Sequence, residues 1–201
     1  MKRAGTCQQL RVIGGQWRGR KLRFPALPGL RPTPDRVRET LFNWLSPLIT
    51  GARCLDLFAG SGALGIEALS RGAARVVFVE NDARASKTLR ENLHVLQTDA
   101  AAVIAMDAQR WLKQVAPMQA APDLFDIVFL DPPFAQDYLN PICQALENSG
   151  CLAANALIYL ESEIRSSVLL PANWTVLRDK TAGQVHYRLV RREAPINTNC
   201  G

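Results

Sequence analysis

Between residues 53 and 161, five continuous apolar runs alternate with amphipathic stretches, and no other feature of the chain restricts its fold as tightly. The runs are "RCLDLF", "RVVFVE", "AVIAMD", "FDIVFLD" and "ALIYLE", separated by helical patterns over 61–71, 83–96, 108–116 and 136–148. Strands that are apolar throughout, rather than at every second position, require a parallel sheet covered on both faces. A doubly wound, Rossmann-like α/β fold follows. After it, "WTVLRD" and "QVHYRLV" are separated only by "KTAG", which predicts a hairpin adding two antiparallel strands at one edge. The expected sheet has seven strands, mostly parallel.

The 201 residues suffice for one well-cored domain with an appendage. One self-contained domain makes a monomer the default expectation. No apolar run approaches the roughly 20 residues that span a membrane, so a cytoplasmic protein with no membrane partner is expected. Cysteines at 7, 54, 143, 151 and 200 form no CxxC pair, and His94 and His186 are the only histidines that could assist them. Neither a disulfide scaffold nor a metal site is expected.

The net charge of +6 is concentrated at the start. Residues 1–34 hold eight Lys or Arg and no acid, whereas residues 35–201 carry −2. Glycines 14, 15 and 19 weaken any amphipathic helix, which argues against an organellar transit peptide. Leu10, Val12 and Trp17 alternate with basic residues as in a short hairpin, and this favours a nucleic-acid-binding arm over a solvated tail. Arg11, Trp17, Arg18, Arg20, Lys21 and Arg23 are its candidate RNA contacts. The proline-rich "FPALPGLRPTP" reads as an extended connector, so the expected organisation is an arm and connector over 1–34, a body over 35–193 and a disordered tail over 194–201. Thr33 is placed to cap a helix that has Pro34 at its first position, with Val37, Leu41, Leu45 and Leu48 at helical spacing.

Two motifs carry chemistry. "DLFAGSGALG" follows the first of the five strands and opens a helix, with Gly60, Gly62 and Gly65 in GxGxxG spacing. Such glycines let backbone approach a ligand at a helix N-terminus, and Glu80, at the end of the next strand, is placed for a ribose hydroxyl pair. This signal also fits NAD enzymes. Asp56 before the glycines and Asp107 after the third strand favour the cationic S-adenosylmethionine, because acids attract its ammonium and sulfonium charges and Asp107 can accept from the adenine amino group. Asp107 equally suits an N-cap for 108–116. Phe58, Ser61, Asn81 and Ala108, on the same turns, complete the expected cofactor set, and Asp82 can share the ribose contact.

The second motif, "DPPF" at 131–134, ends the fourth strand. The carboxyl ends of strands form the ligand crevice in doubly wound sheets, so this motif faces the glycine loop. An exocyclic amine on a nucleobase is a poor nucleophile, its lone pair being delocalised into the ring. Two acceptors can hold its hydrogens and aim it. The Asp131 carboxylate is one, and the Pro132 carbonyl, in a turn stiffened by Pro132 and Pro133, is the other. Phe134 offers a face for an extruded base, worth roughly 1–3 kcal/mol. Asp131 can also take the proton released on methylation.

These motifs resemble those of class I S-adenosylmethionine-dependent methyltransferases that modify amino groups. More narrowly, "RVIGGQWRGRKL", "RPTPDRVRETLFNWL" and "AGQVHYRLVRRE" are similar to the RsmD family, over about residues 10–193. The resemblance implies methyl transfer to the 2-amino group of one guanine in 16S ribosomal RNA, presented within the small ribosomal subunit or its precursor. It places residues 131–134 at the target amine and Asp56, Gly60, Gly62, Glu80 and Asp107 around the cofactor, with "RPTPDRVRE" near the cofactor's methionine end.

A DNA adenine-amino methyltransferase would use the same pair of motifs, but reading a duplex calls for a larger recognition domain than this arm. A cytosine-carbon methyltransferase needs a cysteine nucleophile, and none lies beside "DPPF". A non-catalytic RNA-binding assembly factor would have no use for Asp131.

Overall fold

A computed structural model describes residues 7–27, 33–115, 124–133 and 138–194. The apolar runs form the centre of a seven-stranded sheet of order β5-β4-β3-β6-β7-β9-β8. Its members are β3 (Arg53–Asp56), β4 (Arg75–Glu80), β5 (Ala101–Ala105), β6 (Phe125–Leu130), β7 (Leu152–Glu163), β8 (Trp174–Ala182) and β9 (Val185–Arg192). The first five run parallel, and β9 pairs antiparallel with both β7 and β8. The closing hairpin is therefore present. Its strands reach further than the sequence suggests, because the turn needs only Gly183, at φ 61°, and Gln184.

Successive side chains of one strand enter opposite cores, as the pleat requires. On β6, Ile127 and Phe129 join one cluster while Val128 and Leu130 join the other. The first cluster is closed by α1 (Asp35–Leu45), α2 (Ala63–Ser70) and α3 (Ala83–Val95). The second is closed by α4 (Ala108–Val115) and α5 (Leu139–Asn148). The chain moves from β3 outward to β4 and β5, then returns to the other side of β3 at β6. That reversal opens a crevice beyond the carboxyl ends of β3 and β6.

The basic arm is a hairpin of β1 (Cys7–Arg11) and β2 (Lys21–Pro25), but it is not separated from the body. Val12, Trp17 and Leu22 are buried in the first core, and Leu10 and Phe24 pack on Ala63 at the start of α2. Polar contacts add to this. The amides of Gln16 and Trp17 donate to the Ser70 carbonyl and hydroxyl oxygens, and Asn92 donates to the Arg23 carbonyl. The Glu67 carboxylate, fully buried, accepts from Ile13 N–H and from Arg71, and lies 3.7 Å from the equally buried Arg38, which donates to the Arg11 carbonyl. The expected boundary near residue 34 thus does not divide two cores. An apolar face of only a few residues cannot be stable alone, so the hairpin borrows the body's core.

A second difference concerns Thr33. Helix α1 starts at Asp35 with no side-chain cap, and the Thr33 hydroxyl instead donates to Asp131 at 3.1 Å.

Candidate active site

The crevice is a cleft of about 910 Å³. One wall is the turn between β3 and α2. Asp56 ends β3 almost fully buried, and its Oδ2 accepts the Gly65 amide at 3.0 Å. Helix α2 starts at Ala63 rather than at residue 61, since Gly62, at φ 78°, lies in the left-handed region before it. Gly65 has a packing reason instead: a Cβ there would come within 2.2 Å of the Phe78 ring on β4. The third glycine lets helix and strand touch, which holds the loop's amides toward the cleft.

Glu80 clamps this turn. Its two carboxylate oxygens accept the amides of Gly60 and Asp82, each at 2.7 Å, leaving lone pairs that still face the cleft. Asp82 caps α3 through the amides of Arg84 and Ala85, and these hydrogen bonds lower its pKa. Asp107 bonds the Arg110 amide, so the N-cap role of this residue is real, and it lines the cleft as well. Phe58, Gly60, Ser61, Asn81 and Ala108 also line it, whereas Gly62, between the lining residues Ser61 and Ala63, does not.

The opposite wall carries Asp131, Pro132 and Pro133 just past β6. Pairing of Asp56 with Phe129 in adjacent strands sets the two acids on the two sides of the switch point. Phe134 lies outside the described residues. Two groups whose part here sequence reasoning missed complete this wall, Glu161 and Thr33. Glu161, from "ALIYLE" on β7, is buried at 2% exposure and lines the cleft. Tyr159 donates its hydroxyl to Glu161 Oε1 at 2.7 Å. The signal for Glu161 was present, an apolar strand ending in an acid as at Glu80 and Asp131. That for Thr33 was masked by its fitness as a cap.

Burial dominates the electrostatics. It pushes the Asp56 carboxyl up to about 7, against the Gly65 hydrogen bond and with a smaller contribution from Glu80. Asp131 is held well above the carboxylate range by burial, then by Glu161, while the Thr33 hydrogen bond pulls it down. Glu161 is raised by its own burial, opposed by hydrogen bonds from Tyr159 and Thr33. A cleft lined by acids that resist ionisation alone favours a cationic ligand, whose charge would offset their mutual repulsion.

On the outer surface of the hairpin, Arg11, Arg18, Arg20, Lys21 and Arg23 are exposed. Trp17 is not. At 7% exposure within the first core it anchors the hairpin and has no face to offer RNA, a correction that follows from the hairpin's need for a core.

A doubly wound sheet with a glycine turn and an acid-lined crevice at its switch point defines the class I methyltransferase architecture. The chain matches, over residues 10–191, the family model described as Conserved hypothetical protein 95. It is 54% identical over 187 residues to "Ribosomal RNA small subunit methyltransferase D" of Escherichia coli strain K12, covering 92% of this chain and 91% of that one. It is 48% identical to the Haemophilus influenzae protein of the same name, over 90% and 93% of the two chains. The solved structure of the Escherichia coli protein yhhF superposes with a TM-score of 0.85 at 50% identity, covering 93% of this chain and 99% of that one. The chain belongs to this family, the RsmD methyltransferases. Among the described residues no helix is long and apolar enough to cross a membrane, and no group of His, Cys, Asp and Glu could hold a metal ion.

Proposed function

We infer that the protein transfers a methyl group from S-adenosylmethionine to the exocyclic 2-amino group of a guanine in 16S ribosomal RNA, in the cytoplasm where ribosomal subunits are made. The observation that carries this reading is the pairing of Asp56 and Asp131 across one cleft, a cofactor-side acid facing an amine-side acid. The relatives' names support the ribosomal substrate. The residues fit the cofactor: Asp56 suits its ammonium, Glu80 its ribose hydroxyls and Asp107 its adenine amino group, with Phe58, Met106 and Ile142 as apolar lining. When bound, S-adenosylmethionine supplies an electrophilic methyl group with sulfur as a ready leaving group.

The chain's own part is orientation and proton handling. Asp131 and the Pro132 carbonyl hold the amine hydrogens so that the nitrogen lone pair leaves the ring plane toward the methyl group. The Thr33 hydrogen bond fixes the Asp131 carboxylate for this task. The exposed cations of the hairpin, next to the cofactor turn through Leu10, Phe24 and Ala63, supply sequence-independent grip on phosphates. A guanine in an RNA loop is already unstacked in part, which lowers the cost of extruding it compared with a duplex. The Asp131→Ala variant tests the assignment: methyl transfer should fall below detection while the dissociation constant for S-adenosylmethionine changes by no more than about 3-fold. Near-normal turnover would remove Asp131 from the mechanism.

A further inference from the structure

The cleft contains more acid than orientation of an amine requires. Glu161 accepts from Tyr159 and lines the cleft. It stands on β7, the strand beside β6, and shares one hydroxyl with Asp131. Thr33 donates to Asp131 Oδ2 at 3.1 Å, and it is also a hydrogen-bond partner of Glu161. Its backbone is pinned, since its carbonyl accepts from the buried Arg38 guanidinium. Tyr159 fixes the far side of Glu161. Two buried carboxyls joined by one clamped hydroxyl form a short path along which a proton can pass.

We propose that Glu161 and Thr33 are a proton relay for Asp131, in which Glu161 holds the proton that methylation releases from the target amine. This rests on the methyltransferase reading above. After the nitrogen–carbon bond forms and the sulfur leaves with the electron pair of its methyl bond, the nitrogen carries one proton in excess. Asp131 takes that proton. The Thr33 hydroxyl hydrogen turns to Glu161 and is handed over as Thr33 accepts the proton from Asp131. Asp131 ends ionised and Glu161 ends as the neutral acid, which loses its proton to solvent once product leaves.

The arrangement suits a store that holds one proton between two sites. Burial raises both carboxyls and the nearby Glu161 raises Asp131 further, so double ionisation is disfavoured in the ligand-free protein and becomes accessible when positive charge enters the cleft. The other titratable groups acting here are Asp56 on β3, Tyr159 on β7 and Tyr187 on β9 opposite Glu161. The Tyr159 hydroxyl donates to Glu161, and Asp56 opposes ionisation of Asp131.

The test uses the full chain with S-adenosylmethionine and unmodified small ribosomal subunits, comparing wild type with Glu161→Gln, Thr33→Val and Thr33→Ser. Single-turnover rates at saturating cofactor and RNA should fall about 10-fold to 100-fold in Glu161→Gln and Thr33→Val, with binding of both ligands within about 2-fold, and Thr33→Ser should restore the rate. The wild-type rate should decline as pH falls through the titration of the pair, and that dependence should move in Glu161→Gln. A second readout needs no activity. Wild-type protein without ligands should lose thermal stability as pH rises above the ordinary carboxylate range, because raised carboxyls favour the folded state only while protonated, and Glu161→Gln should lose less. Wild-type rates in both variants at every pH, or losses confined to binding, overturn the relay. So does a pH dependence of melting that Glu161→Gln leaves unchanged. If Thr33→Val fails to fold, the isosteric Glu161→Gln decides alone. A wild-type protein that methylates no ribosomal guanine would instead defeat the functional reading, while the melting comparison would still report on the acid pair.

Discussion

Replacing Glu67 with glutamine should release the basic hairpin from the body. The Glu67 side chain is inaccessible to solvent, accepts from Arg71 Nε at 2.7 Å and the Ile13 amide at 2.9 Å, and forms an ion pair at 3.7 Å with Arg38, itself 1% exposed. Glutamine retains the shape but removes the charge, which leaves Arg71 without its carboxylate partner and the buried Arg38 with Asp35 as its remaining anion. Breaking a buried ion pair by neutralising one partner costs roughly 3–5 kcal/mol. For a chain of this size each kcal/mol moves the melting midpoint by about 2–4 °C, so a drop of about 6–20 °C is expected. The loss should be local in character. Hydrogen exchange should quicken at Val12, Gln16 and Trp17, whose amides close the hairpin's turn and dock it on α2, while β3 and β6 stay protected. RNA affinity should fall with it, and cofactor affinity should not. Since well-packed apolar residues can replace a buried pair, a combined Arg38→Met and Glu67→Met change should recover part of the stability. A Glu67→Gln protein that melts within 2 °C of wild type with unchanged exchange at those amides would refute the reasoning.

Three other outcomes follow from the same geometry. Gly65→Ala would press a methyl group to 2.2 Å from the Phe78 ring, and thermal or denaturant unfolding should report a loss of about 1–3 kcal/mol together with weaker cofactor binding. Asp56 has its folded carboxyl raised to about 7, so it favours the folded state below about pH 4 and loses that advantage as pH rises through 7; Asp56→Asn should flatten this fall, by at most roughly 4 kcal/mol, in unfolding titrations across that window. Changing Arg18, Arg20, Lys21 and Arg23 to glutamine should weaken RNA binding and flatten its salt dependence by about 0.7 in slope for each lost single-strand phosphate contact, whereas Trp17→Ala should act through a lower melting temperature.

Elements whose residues face only their own neighbours were legible in the sequence. The parallel strands declared themselves because burial on both faces leaves no polar position, and the glycine turn and "DPP" fell at strand ends where the topology must bring them together. What was not legible depends on contacts between distant segments. Trp17 sits among basic residues, and nothing local distinguishes a ring that stacks on RNA from one that plugs a core built mostly by residues after 35. Thr33 is a good capping residue two positions before the helix starts, yet its hydroxyl is drawn to Asp131, 98 positions away. Glu67 lies in an apolar helical stretch as an isolated charge, and what makes it tolerable there comes from three separate segments: Arg71 at the end of its own helix, Arg38 on α1 and the Ile13 amide of the docked hairpin. Strand limits at β7 and β8 ran longer than the apolar runs, since pairing with β9 extends regular backbone past the buried side chains.

The central claim is that the two-acid cleft methylates the 2-amino group of guanine in ribosomal RNA. The direct measurement incubates the protein with methyl-labelled S-adenosylmethionine and, in parallel, unmodified small ribosomal subunits, naked ribosomal RNA and duplex DNA, followed by nucleoside mass spectrometry. Label in 2-methylguanosine from a ribosomal sample, and none in DNA, is the predicted result. Label in methyladenine from DNA, or no label in any nucleoside despite measurable cofactor binding, would contradict it.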